Sequence, residues 1–205
     1  MQVLKMIWIA LAAQLSAPEP RQMWLSNDDT PVAELAGRAS AVVKIRLTVT
    51  PHGRLVRCDI ESSSGNIRID NHTCDLALKR AQFKPARSPD GAPSYGVYRV
   101  PVIWAARPMN FKPAGDVVAE ISTRPKGVRM PANVGVMFAV DTQGQISGCS
   151  DQAPVFPGAK RNNPALVPIA CDRFVRTFKS APATDERGDP VHSIQNANVL
   201  IVLKR

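Results

Sequence analysis

Apolar and polar residues alternate in the stretch AVVKIRLTVT, residues 41–50. A period of two predicts a β-strand with one buried face. The next residues, PHG at 51–53, have turn chemistry, and Arg54–Ile60 is predicted to be the returning strand of a hairpin. The first feature of the fold is therefore an antiparallel pair of strands.

A helix and a further strand are predicted after this hairpin. Between Asp70 and Gln82 apolar residues recur at helical spacing, and Asp70 or Asn71 is expected to cap the helix N-terminus. Pro85 ends the helical pattern, and the run SYGVYRVPVIW predicts a long strand over Ser94–Trp104. The first half of the chain thus has the order strand, strand, helix, strand.

The second half repeats this order. Strands are predicted at Val134–Val140 and Gln145–Ser150, a helix around Pro168–Phe178 and a closing strand at Ala197–Leu203. We therefore predict an α+β fold of two tandem units of strand-strand-helix-strand, each a small antiparallel sheet with one helix packed on it.

These units define the predicted domain organisation. They cover residues 41–106 and 133–205, and residues 18–40 form an N-terminal segment. The linker between the units, residues 107–132, is proline-bearing and contains one further candidate strand at Val117–Ile121.

Each half places a cysteine five residues after a turn glycine, and each has a second cysteine in its predicted helix. Four cysteines allow three connectivities, and only pairing within each unit treats the two halves alike. Four buried free thiols are the alternative. A zinc site is not expected, because the three histidines lack ligand spacing. The predicted disulfides are Cys58–Cys74 and Cys149–Cys171.

The first seventeen residues, MQVLKMIWIALAAQLSA, have the layout of a secretory signal peptide. Lys5 precedes an apolar stretch at Met6–Ala13, and the small residue Ala17 stands before Pro18. The apolar stretch is shorter than the roughly 20 residues that span a membrane, so an integral membrane anchor is not expected; an uncleaved, weakly anchoring N-terminus is the alternative. Export would place the chain in an oxidising compartment, where disulfides form.

The formal net charge of +9 would suit a nucleic acid or an anionic membrane surface. Lysine and arginine are, however, scattered along the sequence as singles and short pairs. Only 5% of the residues are aromatic, and they do not interleave with the basic residues as a base-stacking platform requires. A nucleic-acid partner is therefore not expected.

The first half resembles the C-terminal domain of the TonB family of energy transducers over residues 40–104. The resemblance rests on a turn glycine between two strands, the SSG loop, an Ile-Asp pair at the helix start, the element FKPA at 83–86 and the turn DGAP at 90–93. Residues 134–203 fit the pattern more loosely, because the SSG loop is missing. The long proline-rich spacer of a transducer is also absent, since residues 18–40 are short and only mildly proline-rich.

The resemblance implies a non-enzymatic periplasmic protein that binds an envelope partner, such as the N-terminal segment of an outer-membrane receptor, in energy-dependent transport. The closing strand of the first unit would receive this segment by strand addition, since an exposed edge offers unpaired N–H and C=O groups. A structural envelope module, in which the second unit blocks this edge, is the alternative. The residues expected on the edge are Tyr95, Val97, Tyr98, Arg99, Val100 and Val102.

An enzymatic function is not expected. Residues 62–64 are serines, and with His52 or His72 and Asp70 they supply the residue types of a hydrolase triad, but there is no GxSxG element. Neither a GxxxxGK[ST] phosphate loop nor a GxGxxG dinucleotide motif occurs. We therefore expect no cofactor and no small-molecule substrate.

Overall fold

The computed structural model describes residues 15–35, 37–107, 114–152 and 161–204. Over these residues the fold is mixed α/β and dominated by strands. The helices are α1 (Val32–Leu35), α2 (Ile67–Arg80) and α3 (Val167–Thr177), with a 3-10 turn at Asn27–Asp29. The strands are β1 (Glu19–Pro20), β2 (Ser40–Val49), β3 (Leu55–Ser62), β4 (Phe83–Lys84), β5 (Ala86–Arg87), β6 (Pro93–Ala105), β7 (Val117–Ile121), β8 (Ala132–Val140), β9 (Ile146–Asp151), β10 (Ala183–Thr184), β11 (Pro190–Val191) and β12 (Ser193–Leu203).

Eight strands form one sheet. Its order is β3-β2-β6-β12-β8-β9, with β5 paired to β6 and β7 paired to β12. The sequence led us to expect two separate antiparallel sheets, but β6 and β12 pair in parallel through Tyr95–Val97 and Ser193–Gln195. This short parallel contact joins the two halves of the chain into a single sheet.

The first half has its core between the sheet and α2. The alternation in β2 buries Val43, Ile45, Leu47 and Val49 completely on the face that α2 covers, as the period of two predicts. Phe83 is fully buried in the same cluster. A disulfide between Cys58 of β3 and Cys74 of α2 closes this layer, as predicted.

The second half has its core between β8, β12 and α3. Phe138 of β8 packs against Phe174 of α3, with ring centroids 4.6 Å apart, and both side chains are fully buried. The second predicted disulfide, Cys149–Cys171, joins β9 to α3. The described residues contain no free cysteine.

The same structural constraint requires glycine at both repeated turns. Gly53 and Gly144 both have positive φ, +80° and +83°, a conformation that glycine adopts without steric cost. A Cβ atom on Gly53 would lie 2.3 Å from the carbonyl oxygen of Phe83, and one on Gly144 would lie 2.8 Å from that of Ser180. In each half the segment after the helix therefore packs against the hairpin turn at a distance that only glycine allows.

The start of α2 differs from the sequence prediction. The helix begins at Ile67, and its cap is Asn66, whose side chain accepts a hydrogen bond from the backbone N–H of Arg68 at 3.0 Å. Asp70, predicted as a cap, lies inside the first turn and is buried. Sequence reasoning placed the cap about one turn too late because it counted the helical spacing from Leu76 onward, although Ile69 in the first turn is also fully buried in the core.

The N-terminal segment packs against the first half of the chain. Trp24 is buried in the core of the first half, and Asp29 forms a salt bridge with Arg80 of α2 at 2.7 Å. Ser16 exchanges two backbone hydrogen bonds with Arg87, and Ala17 is buried. The last three residues of the predicted signal peptide therefore belong to the described residues, whereas its first fourteen lie outside them.

Candidate functional site: the outer edge of strand β6

Strand β6 has a different neighbour on each side. On one side β2 pairs with it along almost its whole length, from Gly96 opposite Val49 to Ala105 opposite Ser40. On the other side β12 pairs with it only up to Val97. Beyond that point the two strands separate, so the C-terminal part of β6 has one side that no described strand pairs with.

A side chain closes the fork between β6 and β12. The backbone N–H of Arg99 donates to Oδ1 of Asn196 at 2.7 Å, and Nδ2 of Asn196 donates to the carbonyl oxygen of Arg99 at 3.1 Å. The amide group of Asn196 thus replaces the next pair of ladder bonds. The available edge begins after Arg99.

The bonds of Arg99 also fix which backbone groups point outward. In an antiparallel pair, successive residues direct their N–H and C=O groups to opposite sides. The backbone N–H and C=O of Arg99 point away from β2. We therefore infer that the backbone groups of Val100 and Val102 bond to β2, whereas those of Pro101 and Ile103 face the open side. Pro101, which has no N–H, therefore stands where no partner strand in the described fold needs a donor. A proline at position 100 would break the sheet itself.

An apolar groove of about 830 Å³ runs beside this open stretch. It lies between the end of β6, from Val100 to Arg107, and the N-terminal segment from Met23 to Val32. Met23 is 68% exposed and Ile103 40% exposed, so large apolar side chains border the groove without being covered.

The residues predicted for the partner edge lie in different surroundings. Val97 is buried and lies opposite Gln195 of β12, and Tyr95 donates its hydroxyl to Glu186 at 3.0 Å. Tyr98 lies in the core, where burial raises its pKa to about 12. The side chains of Val97, Tyr98 and Arg99 are thus buried, and that of half-buried Tyr95 is held by Glu186 at the surface.

Arg99 is the centre of a buried polar network between the halves of the sheet. It is 4% exposed, and its guanidinium donates to Glu61 at 2.7 Å and to Ser180 and the carbonyl oxygen of Asn196 at 3.2 Å. Burial lowers the pKa of Arg99, and the neighbouring Glu61 carboxylate opposes this. Phe178 lies beneath the guanidinium, 5.6 Å from it.

A second ion pair extends this network toward β7. Lys44 of β2 forms a salt bridge with Asp116, whose side chain is 2% exposed, and lies 3.5 Å from Glu61. Asp116 also accepts a hydrogen bond from the backbone N–H of Asn198 at 2.7 Å. The residue just before β7 is thereby attached to both halves of the sheet.

The corresponding edge of β12 is occupied. Strand β7 pairs with it in parallel, from Val117 opposite Val199 to Ile121 opposite Leu203. The predicted candidate strand in the linker is thus confirmed with the same bounds. The C-terminal part of β12 therefore carries a parallel strand on the side where no described strand pairs with the C-terminal part of β6.

The serine loop does not have the geometry of a triad. The hydroxyls of Ser63 and Ser64 both donate to the carboxylate of Asp70. His72 contacts the carbonyl oxygen of Asp29 through Nε2 at 2.8 Å. Among the described residues, no histidine is hydrogen-bonded to these serines, and the loop serves to hold the start of α2.

Two kinds of functional feature are missing from the described part of the chain. It contains no group of three or more His, Cys, Asp or Glu residues that could hold a metal ion. No helix within it has the length and apolar character needed to cross a bilayer. Comparison with protein families, curated proteins and solved structures finds no match to this chain.

Sequence reasoning missed two components of the site. Asn196 lies in a region that it assigned to no strand, because the polar residues SIQN at 193–196 precede the apolar run of β12. The N-terminal wall of the groove has no periodic pattern, and its one sequence signal is the apolar run MWL at 23–25 in a polar segment.

Proposed function

We propose that this protein binds an extended segment of an envelope protein by strand addition at the open stretch of β6, residues 101–105. Backbone N–H and C=O groups on an uncovered edge supply affinity, and the adjoining apolar groove supplies side-chain selection. The observation that carries the proposal is that no described strand pairs with the end of β6, whereas β7 pairs with the corresponding part of β12.

Strand β7 supports this proposal as an internal example. It shows the geometry of a short, β-branched segment lying in parallel on the end of a long central strand. The stretch of β6 beyond Arg99 has the length for a similar segment of about five residues. Ile103 and Met23 would contribute apolar contacts to its side chains.

The TonB resemblance gives this binding a biological setting. On this proposal the chain consists of two tandem units related to the TonB C-terminal domain, is exported to the periplasm and has no enzymatic activity. The partner would be the N-terminal segment of an outer-membrane receptor, and the binding would be linked to energy-dependent transport. The two disulfides are compatible with an exported protein.

A structural role is the second candidate, and one observation favours it. The second half already occupies the first part of the edge, through β12 at Tyr95–Val97 and through Asn196 at Arg99. In that case the module would be a stable envelope component, and the remaining open stretch would stay unpaired.

Site-specific photo-crosslinking separates these two functions. A photoreactive residue replaces Ile103 on the open edge, and the matched control replaces Ile60 on the outer strand β3, which is 38% exposed against 40% for Ile103. Crosslinking is performed in cells that produce the protein, and the crosslinked peptides are mapped by mass spectrometry. We expect Ile103, and not Ile60, to crosslink to the extended N-terminal segment of an outer-membrane protein.

The structural role predicts no specific crosslink from Ile103. Equal products from both positions would contradict strand addition at β6. Mass spectrometry of the mature N-terminus from the envelope fraction tests export in the same cells, because a chain that retains Met1 contradicts a cleaved signal peptide.

A further inference from the structure

The fold gathers basic side chains at one end of the sheet. The loop at residues 122–131 connects the end of β7 to the start of β8, and both strands flank the end of β12. The loop must therefore pass beside Lys204, whose backbone N–H donates to the carbonyl oxygen of Ile121 at 2.9 Å. The exposed cations brought together here, which we call the basic end, are Arg124, Lys126, Arg129 and Lys204.

Within the described part of the chain these four cations form no salt bridge. The salt bridges among the described residues involve none of the four. Glu120 and Asp172 line the same pocket as Lys204, and Asp172 forms a salt bridge with Arg176. Four cations thus stand beside two carboxylates, and the basic end keeps a net positive charge.

Arginines next to two neighbouring strands lie at the same end of the sheet. Because β6 and β12 are parallel, their C-terminal ends point in the same direction. Arg107 follows the end of β6, and Arg38 precedes β2, whose Ser40 lies opposite Ala105. Both arginines are exposed. The cations thus come from separate connections and are distributed over a surface instead of converging on one point.

The opposite end of the sheet has a mixed charge. Its turns contain Asp141, Asp185, Glu186 and Asp189, and Arg54 forms a salt bridge with Glu186 at 2.8 Å. The net positive charge of the protein is therefore unequally distributed between the two ends. This polarity was not visible in the sequence, where the basic residues are scattered.

Large apolar side chains are exposed beside the basic end. Leu203, the last residue of β12, is 40% exposed. Ile67, the first residue of α2, is 69% exposed and follows the serine loop, which contacts Arg38 through the carbonyl oxygen of Ser64. Exposed cations accompanied by apolar side chains are typical of surfaces that bind lipid interfaces.

We propose that the basic end binds the surface of an anionic phospholipid bilayer. A flat polyanionic surface can contact cations from several connections at once, which a single small anion cannot. Each lysine or arginine near such a surface strengthens binding about fivefold, and salt weakens it. This contact does not depend on the proposed strand addition, because the four cations that define the basic end lie outside the open stretch of β6 and its groove.

The test is vesicle sedimentation with the purified full chain. Vesicles of phosphatidylcholine alone are compared with vesicles that also contain phosphatidylglycerol, at low and at raised salt. The test variant is R124Q/K126Q/R129Q. The control K79Q/K179Q/R187Q removes the same charge from exposed positions elsewhere on the molecule, and melting temperatures confirm that both variants are folded.

We expect binding only to vesicles with phosphatidylglycerol, reduced on the order of a hundredfold in the test variant and much less in the control. Equal losses in both variants would overturn the proposal, since net charge alone would then explain binding. Absence of binding to anionic vesicles would also overturn it, as would binding of a DNA duplex in place of the vesicles. The Ile103 crosslink is measured separately, so the failure of either proposal is recognised on its own.

Discussion

Strands β6 and β12 begin as partners and end in different surroundings. At their N-terminal ends three residues of each pair in parallel. At their C-terminal ends β12 lies between β7 and β8, whereas β6 has β2 on one side and an apolar groove on the other. The difference teaches that the path of the chain after each strand decides whether the edge of that strand stays open. After β6 the chain forms β7, which pairs with the edge of β12. No described strand pairs with the corresponding edge of β6.

The largest expected effect concerns the network that joins the two halves. In the variant R99L, Glu61 and Ser180 lose their common donor, and breaking a buried ion pair costs about 3 to 5 kcal/mol. Chemical denaturation should show this loss in the free energy of unfolding. The matched variant R57L, at an arginine whose side chain is 51% exposed, should change it by less than about 0.5 kcal/mol. A loss below about 1 kcal/mol for R99L would mean that the network does not hold the halves together.

The two disulfides allow the halves to be compared directly. They link residues separated by 16 and 22 positions, so the chain-entropy account predicts a loss of about 3 kcal/mol for each, equal within about 0.3 kcal/mol. The double variants C58A/C74A and C149A/C171A are measured by thermal and denaturant unfolding. Clearly unequal losses would show that the halves differ in residual structure when unfolded, or in how rigidly each helix is held.

The helix starts differ between the halves, and pH should reveal the difference. Burial raises the pKa of Asp70, but hydrogen bonds from Ser63 and Ser64 lower it by more, so the folded pKa is below the usual value. α3 has no side-chain cap. We expect D70N to lower the free energy of unfolding by about 2 kcal/mol at neutral pH.

The sign of the pH dependence results from the lowered pKa. The contribution of Asp70 is fully present above its unfolded pKa and is lost as the pH falls through the folded pKa. The difference in the free energy of unfolding between wild type and D70N should therefore disappear in acid. D75N, at a position of the same helix whose side chain makes no hydrogen bond among the described residues, is the control and should show no gap. A gap that is constant down to low pH would contradict the role of the carboxylate.

The smallest effect concerns the N-terminus. A chain that begins at Pro18 lacks the two backbone hydrogen bonds between Ser16 and Arg87 and the buried Ala17. Compared with a chain that begins at Leu15, it should lose about 1 kcal/mol. Equal melting temperatures would show that cleavage after Ala17 leaves the fold intact.

Local patterns in the sequence determined most of the elements and both disulfides. The alternation of β2 and the helical spacing of α2 and α3 depend on neighbours within a few residues, and each element formed close to its predicted bounds. The cysteine pairing was predicted from repetition alone. These features are local because a buried face or a turn requires particular residue types at fixed short spacings.

Tertiary structure alone decided which edges are open and where the charges meet. The pairing of β6 with β12 joins residues almost a hundred positions apart, and no local pattern encodes it. Asn196 became part of the edge because the two strands separate beside it, and a polar side chain there could satisfy the backbone of Arg99. Scattered arginines and lysines became one basic end only because β7, β8 and β12 bring their connections to the same side of the sheet.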